Sequence, residues 1–191
     1  MDAIDKRCAW CTGSELYQKY HDFEWGRPLR DEQKMFEFLT LETFQAGLSW
    51  ITILNKREDF REAFNQFDIN KMSAMNEQDI DKLMTNERIV RNRKKIEAAI
   101  HNAKVLNGLH EKGITLVDTL WAYLDNTPLD NQRKHLREIP AFTPLAKQIA
   151  KDLKGYGFKF LGPTTTYAHM QACGMVNDHL ITCPSHKECL E

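Results

Sequence analysis

Nowhere in the chain do uninterrupted apolar residues approach the roughly 18 that a membrane-spanning helix needs, and the opening "MDAIDKRCAWC" has no apolar run after its charges. The expectation is a cytoplasmic protein without membrane contact. Charge imbalance is missing as well: 26 Lys plus Arg stand against 27 Asp plus Glu, so only a local clustering of basic residues could argue for a polyanionic partner. The chain has no internal repeat, low-complexity tract or Gly/Ser linker, and no sustained strict alternation of apolar and polar residues that would mark half-buried strands. Five cysteines (Cys8, Cys11, Cys173, Cys183, Cys189) form an odd set with no export signal, which disfavours a disulfide framework and favours metal binding or simple burial.

What remains is helical. "DEQKMFEFLTLETFQAGL", "REDFREAFNQF", "IVRNRKKIEAAIHNAKVLNGL", "LVDTLWAYL" and "TPLAKQIAKDLK" carry apolar residues three and four apart. Asp68, Asn70 and Asn76 stand where helix N-caps belong, Gly113 follows the long basic helix, and Pro140 lies in a loop. With 42% hydrophobic residues over 191 positions the chain can bury a core of its own. The reading is one all-α unit over residues 1–191, of roughly nine or ten short helices with a loop-rich end and both termini at one end. The polar stretch over residues 125–140 is the best candidate for a break and reads equally well as a long surface loop.

Inside "FEFLTLETFQAGLSW", Met35, Leu39 and Ala46 fall on one helical stripe, and Glu42 falls on it with them. A buried carboxylate without a basic neighbour in the local sequence is costly, because desolvation disfavours its charged form. Either it is not buried or it faces a cavity that needs it. Three of the four tryptophans, Trp10, Trp25 and Trp50, lie in the first fifty residues with Tyr20 among them. Single aromatics are ordinarily core. An aromatic cage around a carboxylate is, however, a binding site for a flat, positively charged ring.

Cys8 and His21 near the start and the H-x-x-x-C pair His179 and Cys183 near the end make a Cys2His2 set with the chemistry of a closed, structural zinc site. Spacing alone leaves burial open as the alternative, because the first two lie thirteen positions apart. "CAWC" offers Cys8 and Cys11 as a rival pair, but a zinc ribbon needs a second C-x-x-C and a thioredoxin-like site needs a βαβ setting. Cys11 is therefore read as a buried bystander.

"LKGYGFKFLGPTTTYAHMQACG" reads as a helix end, a Gly-punctuated turn, Pro163 at the first position of a new helix, and an apolar helix. Backbone N–H groups around Gly162 could hold a DNA phosphate there, although a ligand-free helical corner has the same signature. Basic residues cluster at "RIVRNRKK" and at Lys147, Lys151, Lys154 and Lys159. Such runs are usually solvated faces; beside a phosphate-binding hairpin they also suit a DNA backbone.

"RCAW", "YHDFEWG", "LETFQAGLSWITIL", "GFKFLGPTT" and "MQACGMVNDH" together resemble, in order and spacing, the bacterial DNA-3-methyladenine glycosylase I family of helix-hairpin-helix DNA glycosylases, over nearly the whole chain. The resemblance implies excision of 3-methyladenine from double-stranded alkylated DNA, leaving an abasic site, by a monomer. It implies Cys8, His21, His179 and Cys183 as ligands of one zinc ion. Tyr20 and Glu42 match the residues that contact the extruded base, Glu42 being the catalytic candidate. Trp50 matches the aromatic that stacks on it, and Trp10 and Trp25 line the pocket. Leu48 matches the position beside the gap left in the DNA, and Lys159, Gly162 and Thr164 are the DNA contacts expected at the hairpin. On the alignment of "VNDH" with the superfamily's V-D-x-H-like segment, Asn177 holds the place of an Asp, and a one-residue shift would restore Asp178. Pro163 and Thr164 stand where bifunctional members carry a Lys, which suits a monofunctional enzyme. The competing readings are a zinc-stapled DNA-binding module without chemistry and a bifunctional glycosylase-lyase.

Overall fold

A computed structural model describes residues 6–190; residues 1–5 and 191, the ends of the expected unit, lie outside the described range. Eleven α-helices follow one another among the described residues: α1 Glu15–Phe23, α2 Glu32–Gln45, α3 Trp50–Asn55, α4 Arg57–Ala63, α5 Ile69–Ser73, α6 Glu77–Thr85, α7 Arg93–His110, α8 Leu116–Trp121, α9 Pro144–Tyr156, α10 Pro163–Ala172 and α11 Pro184–Glu188. The mostly helical class read from the sequence holds. Helix starts are fixed by local chemistry: Asp31, Asp68, Asn92 and Thr143 each accept a backbone N–H from the first turn of α2, α5, α7 and α9. Asn76 and Asp79 form a reciprocal capping box on α6. Asn70, offered as a cap in the sequence, lies inside α5 instead.

The fold is organised around α2, which packs against α3, α7, α8 and α10. Residues 35–44 are buried without interruption, so α2 is a central helix covered on every side. The expected apolar stripe was too narrow a description. Ala46 is corrected: it lies past the last turn and is exposed. Two carboxylates are buried on this helix and they are treated differently. Glu37 accepts from Arg57 Nε at 2.6 Å and Arg61 Nη2 at 2.8 Å, while Glu42 has no hydrogen-bond partner among the described residues.

A two-residue parallel pair, β1 Leu129–Asp130 with β2 Val176–Asn177, was not legible in the sequence, because two residues give no alternation to read. It explains residues 125–140. This stretch is a strap sewn along the chain's last third, with Leu129 N donating to Met175 O, Asn131 N to Asn177 O and Ile181 N to Arg133 O. The turn before β2 requires Gly174: its φ is +63° and a Cβ there would lie 2.2 Å from the Arg27 carbonyl carbon.

Candidate active site and metal cluster

Helices α1, α2, α3 and α10 and the short turn at Ala9–Cys11 enclose a cavity of about 270 Å³. Trp10, Tyr20, Trp25, Glu42 and Trp50, all five residues expected to meet a base, line it together. The volume falls just below the roughly 300–1,000 Å³ of sites for drug-sized ligands, so it suits one small ring system. Tyr20 is central to the cage: its ring lies 5.4 Å from Trp50 and 6.4 Å from Trp10, and Trp10 meets Trp25 edge to face at 5.0 Å.

Glu42 is 5% exposed, and burial alone pushes its carboxyl up to about 8. An acid held near the working pH in an aromatic cavity, with no internal partner, is a functional-site signature rather than a structural one. Tyr20 is pushed well above the ordinary phenol range, first by burial and then by Glu42, so it remains a neutral hydroxyl. Trp50 Nε1 is buried without a hydrogen-bond partner. The cavity therefore offers polar groups that the protein itself does not satisfy.

Five further residues line the cavity: Tyr17, Gln45, Ile139, Ala168 and Gln171. Tyr17 and Gln45 were recoverable by helical spacing, each three positions from Tyr20 or Glu42. Ala168 and Gln171 show the same three-residue spacing on α10, but nothing in the sequence tied that face to the pocket. Ile139 comes from the strap and left no local signal.

Leu48 is 39% exposed on the loop between α2 and α3, whose flanking residues Gln45 and Trp50 both line the cavity. Gln45 Nε2 donates to the Leu48 carbonyl at 2.7 Å, and Lys95 Nζ, itself buried, donates to the carbonyls of Phe44 at 2.8 Å and Ala46 at 2.6 Å. An ammonium on the last carbonyls of α2 fixes where this loop leaves the helix.

Behind Trp10 and Trp25 the two ends of the chain meet. Cys8, His21, His179 and Cys183 are all buried, and their ligand atoms lie within 4.8 Å of one another. Cys183 Sγ is 3.6 Å from His21 Nε2, and Cys8 Sγ and Cys183 Sγ are each 3.8 Å from His179 Nδ1. Tetrahedral metal–sulfur and metal–nitrogen bonds of about 2.3 and 2.0 Å would set ligand atoms about 3.3–3.8 Å apart. The outer nitrogens are anchored: His21 Nδ1 donates to Asp22 at 2.8 Å and His179 Nε2 to the Trp25 carbonyl at 3.0 Å, leaving the inner nitrogens as acceptors. Gly26 makes room for this, since a Cβ on it would lie 2.9 Å from the His179 ring. Cys11 stays outside the set and donates its thiol to the Cys8 carbonyl at 3.1 Å.

Asn177 and Asp178 are both committed elsewhere. Asn177 donates to the His186 carbonyl and accepts from His179 N. Asp178, fully buried, accepts from Asn131, Arg133, Tyr167 and Gln171 at 2.5–2.9 Å. Neither lines the cavity.

At the far end of α10 the chain turns over residues 157–162, from the left-handed Gly157 to Pro163 at the first helical position. Lys159, Gly162 and Thr164 are exposed there, as are Lys147, Lys151 and Lys154 on α9. The other basic run is a different matter. Arg88 pairs with Asp59 and Glu62, Arg93 with Glu77, Asp81 and Glu97, and Arg91 with Glu87, while Lys95 is the buried cap already described. The arginines of "RIVRNRKK" are thus ion-paired, while its Lys95 is buried.

The chain is 46% identical to the DNA-3-methyladenine glycosylase of Haemophilus influenzae over 178 residues, covering 93% of this chain and 96% of that one. It is likewise 46% identical to DNA-3-methyladenine glycosylase 1 of Escherichia coli, over 93% and 95% of the two chains. The structure of 3-methyladenine DNA glycosylase I from Staphylococcus aureus, solved for the basis of its 3-methyladenine recognition, superposes with a TM-score of 0.91 at 41% identity, covering 96% of this chain and 98% of that one. With the methyladenine glycosylase family profile matching residues 10–186, which take in every residue lining the cavity and all of the Cys2His2 cluster but Cys8, the chain belongs to that family.

Proposed function

We propose that this protein extrudes 3-methyladenine from alkylated double-stranded DNA into the aromatic cavity and hydrolyses its N-glycosidic bond, leaving an abasic site in an unbroken strand. The observation that carries the reading is Glu42, a buried carboxyl with no internal partner inside a cage of aromatic rings. Methylation at N3 makes the base cationic, so it leaves as a neutral molecule and its bond to the sugar is already weakened. Little acid catalysis is then needed. The enzyme's work is to unstack the base, hold it, and offset positive charge as the bond breaks. Trp50 stacks on the base, Trp10 and Trp25 wall the pocket, Tyr20 supplies a neutral hydroxyl, and Glu42 accepts from the exocyclic amino group. Entry of a cationic ring favours the ionised form of Glu42, and the pairing in turn favours the methylated over the unmodified base.

DNA is held on either side of the pocket mouth. Leu48 faces the gap left in the duplex. The turn between α9 and α10 acts as a helix-hairpin-helix, with Gly162, Thr164 and Lys159 on the phosphate backbone. Because α10 is ten residues, about 15 Å, and carries Ala168 and Gln171 into the cavity, the hairpin and the pocket are two parts of one rigid element. Zinc is the ion that suits two thiols and two imidazoles at these spacings; held by Cys8, His21, His179 and Cys183, it staples the ends of one glycosylase unit and has no part in the chemistry. The protein acts as a monomer in the cytoplasm, since a single copy carries every group named.

Among the described residues the cavity lining includes no lysine, so none there offers an amine for a Schiff base with the sugar. Incubation with methylated DNA tests the reading: 3-methyladenine should be released, the strand should stay intact until base is added, and borohydride should trap no protein–DNA adduct. A trapped adduct would place the protein among the glycosylase-lyases, and DNA binding without base release would make it a binding module.

A further inference from the structure

The orientation of one pocket amide is dictated from outside the pocket, and this inference rests on the cavity being the base site proposed above. Gln171 lines the cavity, and its Nε2 donates to Asp178 Oδ2 at 2.8 Å. A glutamine amide can ordinarily present either its oxygen or its nitrogen to a ligand. Here that freedom is removed. Asp178 is fully buried and already takes the Arg133 guanidinium at 2.9 Å and the Tyr167 hydroxyl at 2.5 Å, so its carboxylate offers acceptors only. The amide nitrogen must face it. Gln171 Oε1 is left with no partner among the described residues, in a cavity where the Glu42 carboxyl likewise has none.

We propose that Gln171 is a specificity-determining base contact whose Oε1 accepts a hydrogen bond from the exocyclic amino group beside Glu42, and that Asp178 is the positioning residue that keeps it an acceptor. Two acceptors facing the same position of a purine select for an amino group there. A 6-oxo purine brings a carbonyl to that position, where it meets the fixed Gln171 oxygen with no proton to share between them. Sites that leave buried polar groups unpaired reject the wrong ligand more strongly than apolar pockets do.

The test uses the full chain and duplex DNA containing both 3-methyladenine and 3-methylguanine, with each released base quantified. In Gln171→Met, release of 3-methyladenine should fall about three- to tenfold, as for a lost neutral hydrogen bond, and its ratio to 3-methylguanine release should fall with it. Melting temperature should not change. Asp178→Asn lets the Gln171 amide turn over, because an asparagine can donate as well as accept. It should lower the same ratio even if the fold is weakened by the stranded Arg133, since a ratio within one sample does not depend on the folded fraction. An unchanged ratio in Gln171→Met, with wild type active on 3-methyladenine, overturns the inference and leaves the proposed function standing. A ratio lowered by Gln171→Met and untouched by Asp178→Asn overturns the positioning role alone. Wild-type protein that releases no 3-methyladenine overturns the base site and this contact with it.

Discussion

His179 and Trp25 are joined twice: His179 Nε2 donates to the Trp25 carbonyl at 3.0 Å, and the two rings meet edge to face with centroids 4.6 Å apart. One partner belongs to the Cys2His2 cluster and the other to the wall of the cavity. His21 repeats the pattern, stacked on Trp25 at 6.3 Å and edge-on to Trp10 at 5.2 Å. The Cys2His2 cluster is thus the backing of the pocket wall, and whatever loosens it loosens Trp10 and Trp25.

One zinc per chain is expected after dialysis. Cys183→Ser should lose it, lower stability by about 3 kcal/mol, or roughly 6–12 °C in melting temperature for a chain of this size, and weaken binding of free 3-methyladenine. Cys11→Ser should keep the metal, because that thiol donates to the Cys8 carbonyl and stays out of the cluster. Metal analysis of the two variants decides the ligand set: equal loss from both would reject it.

Glu42 should make stability fall as pH rises. Its folded value of about 8 stands above the unfolded value near 4.5, so the folded state binds the extra proton and the contribution is fully present only below the unfolded value. Between those limits wild type should lose roughly 1 kcal/mol per pH unit relative to Glu42→Gln, which cannot ionise. Melting curves of both proteins from pH 5 to about 8.5 should show the variant gaining on wild type, and parallel curves would mean that Glu42 is not buried in an unpaired state.

Lys95 should matter for DNA and not for the free base. It is buried on the carbonyls of Phe44 and Ala46, and desolvation lowers its ammonium from the ordinary lysine range. Lys95→Met removes the clamp on the loop that carries Leu48 without touching the cavity. Excision from duplex DNA should drop about tenfold, the cost of a lost charged hydrogen bond, with free-base affinity within about twofold of wild type. Parallel titrations with the base and with DNA separate the two effects.

The sequence showed which residues gather at the candidate site more fully than it showed the architecture. Glu42 was legible because a carboxylate among "FEFLTLETF" breaks an apolar pattern, and the aromatics were legible because they crowd into fifty residues. Helix caps such as Asn76 announced themselves locally. What stayed hidden was tertiary. Gln171 enters the pocket only because α10 crosses α2, and Ile139 only because the strap over residues 125–140 is sewn to β2. The ion pairs that neutralise Arg88 and Arg93 come from α4 and α6, so a basic run in sequence is a balanced surface in space. Ala46 looked like core by spacing because periodicity cannot see where a helix stops.

Release of 3-methyladenine from methylated duplex DNA by wild type and Glu42→Gln, measured side by side with their free-base affinities, tests the central claim most directly. Exchanging the acid for an amide keeps its size and removes a charge-assisted acceptor worth about 1.5–3 kcal/mol, so release or affinity should fall roughly ten- to a hundredfold while the melting temperature at neutral pH holds or rises. A variant that melts lower yet binds and excises like wild type per folded molecule would contradict the account, because Glu42 would then be serving the fold and not the base.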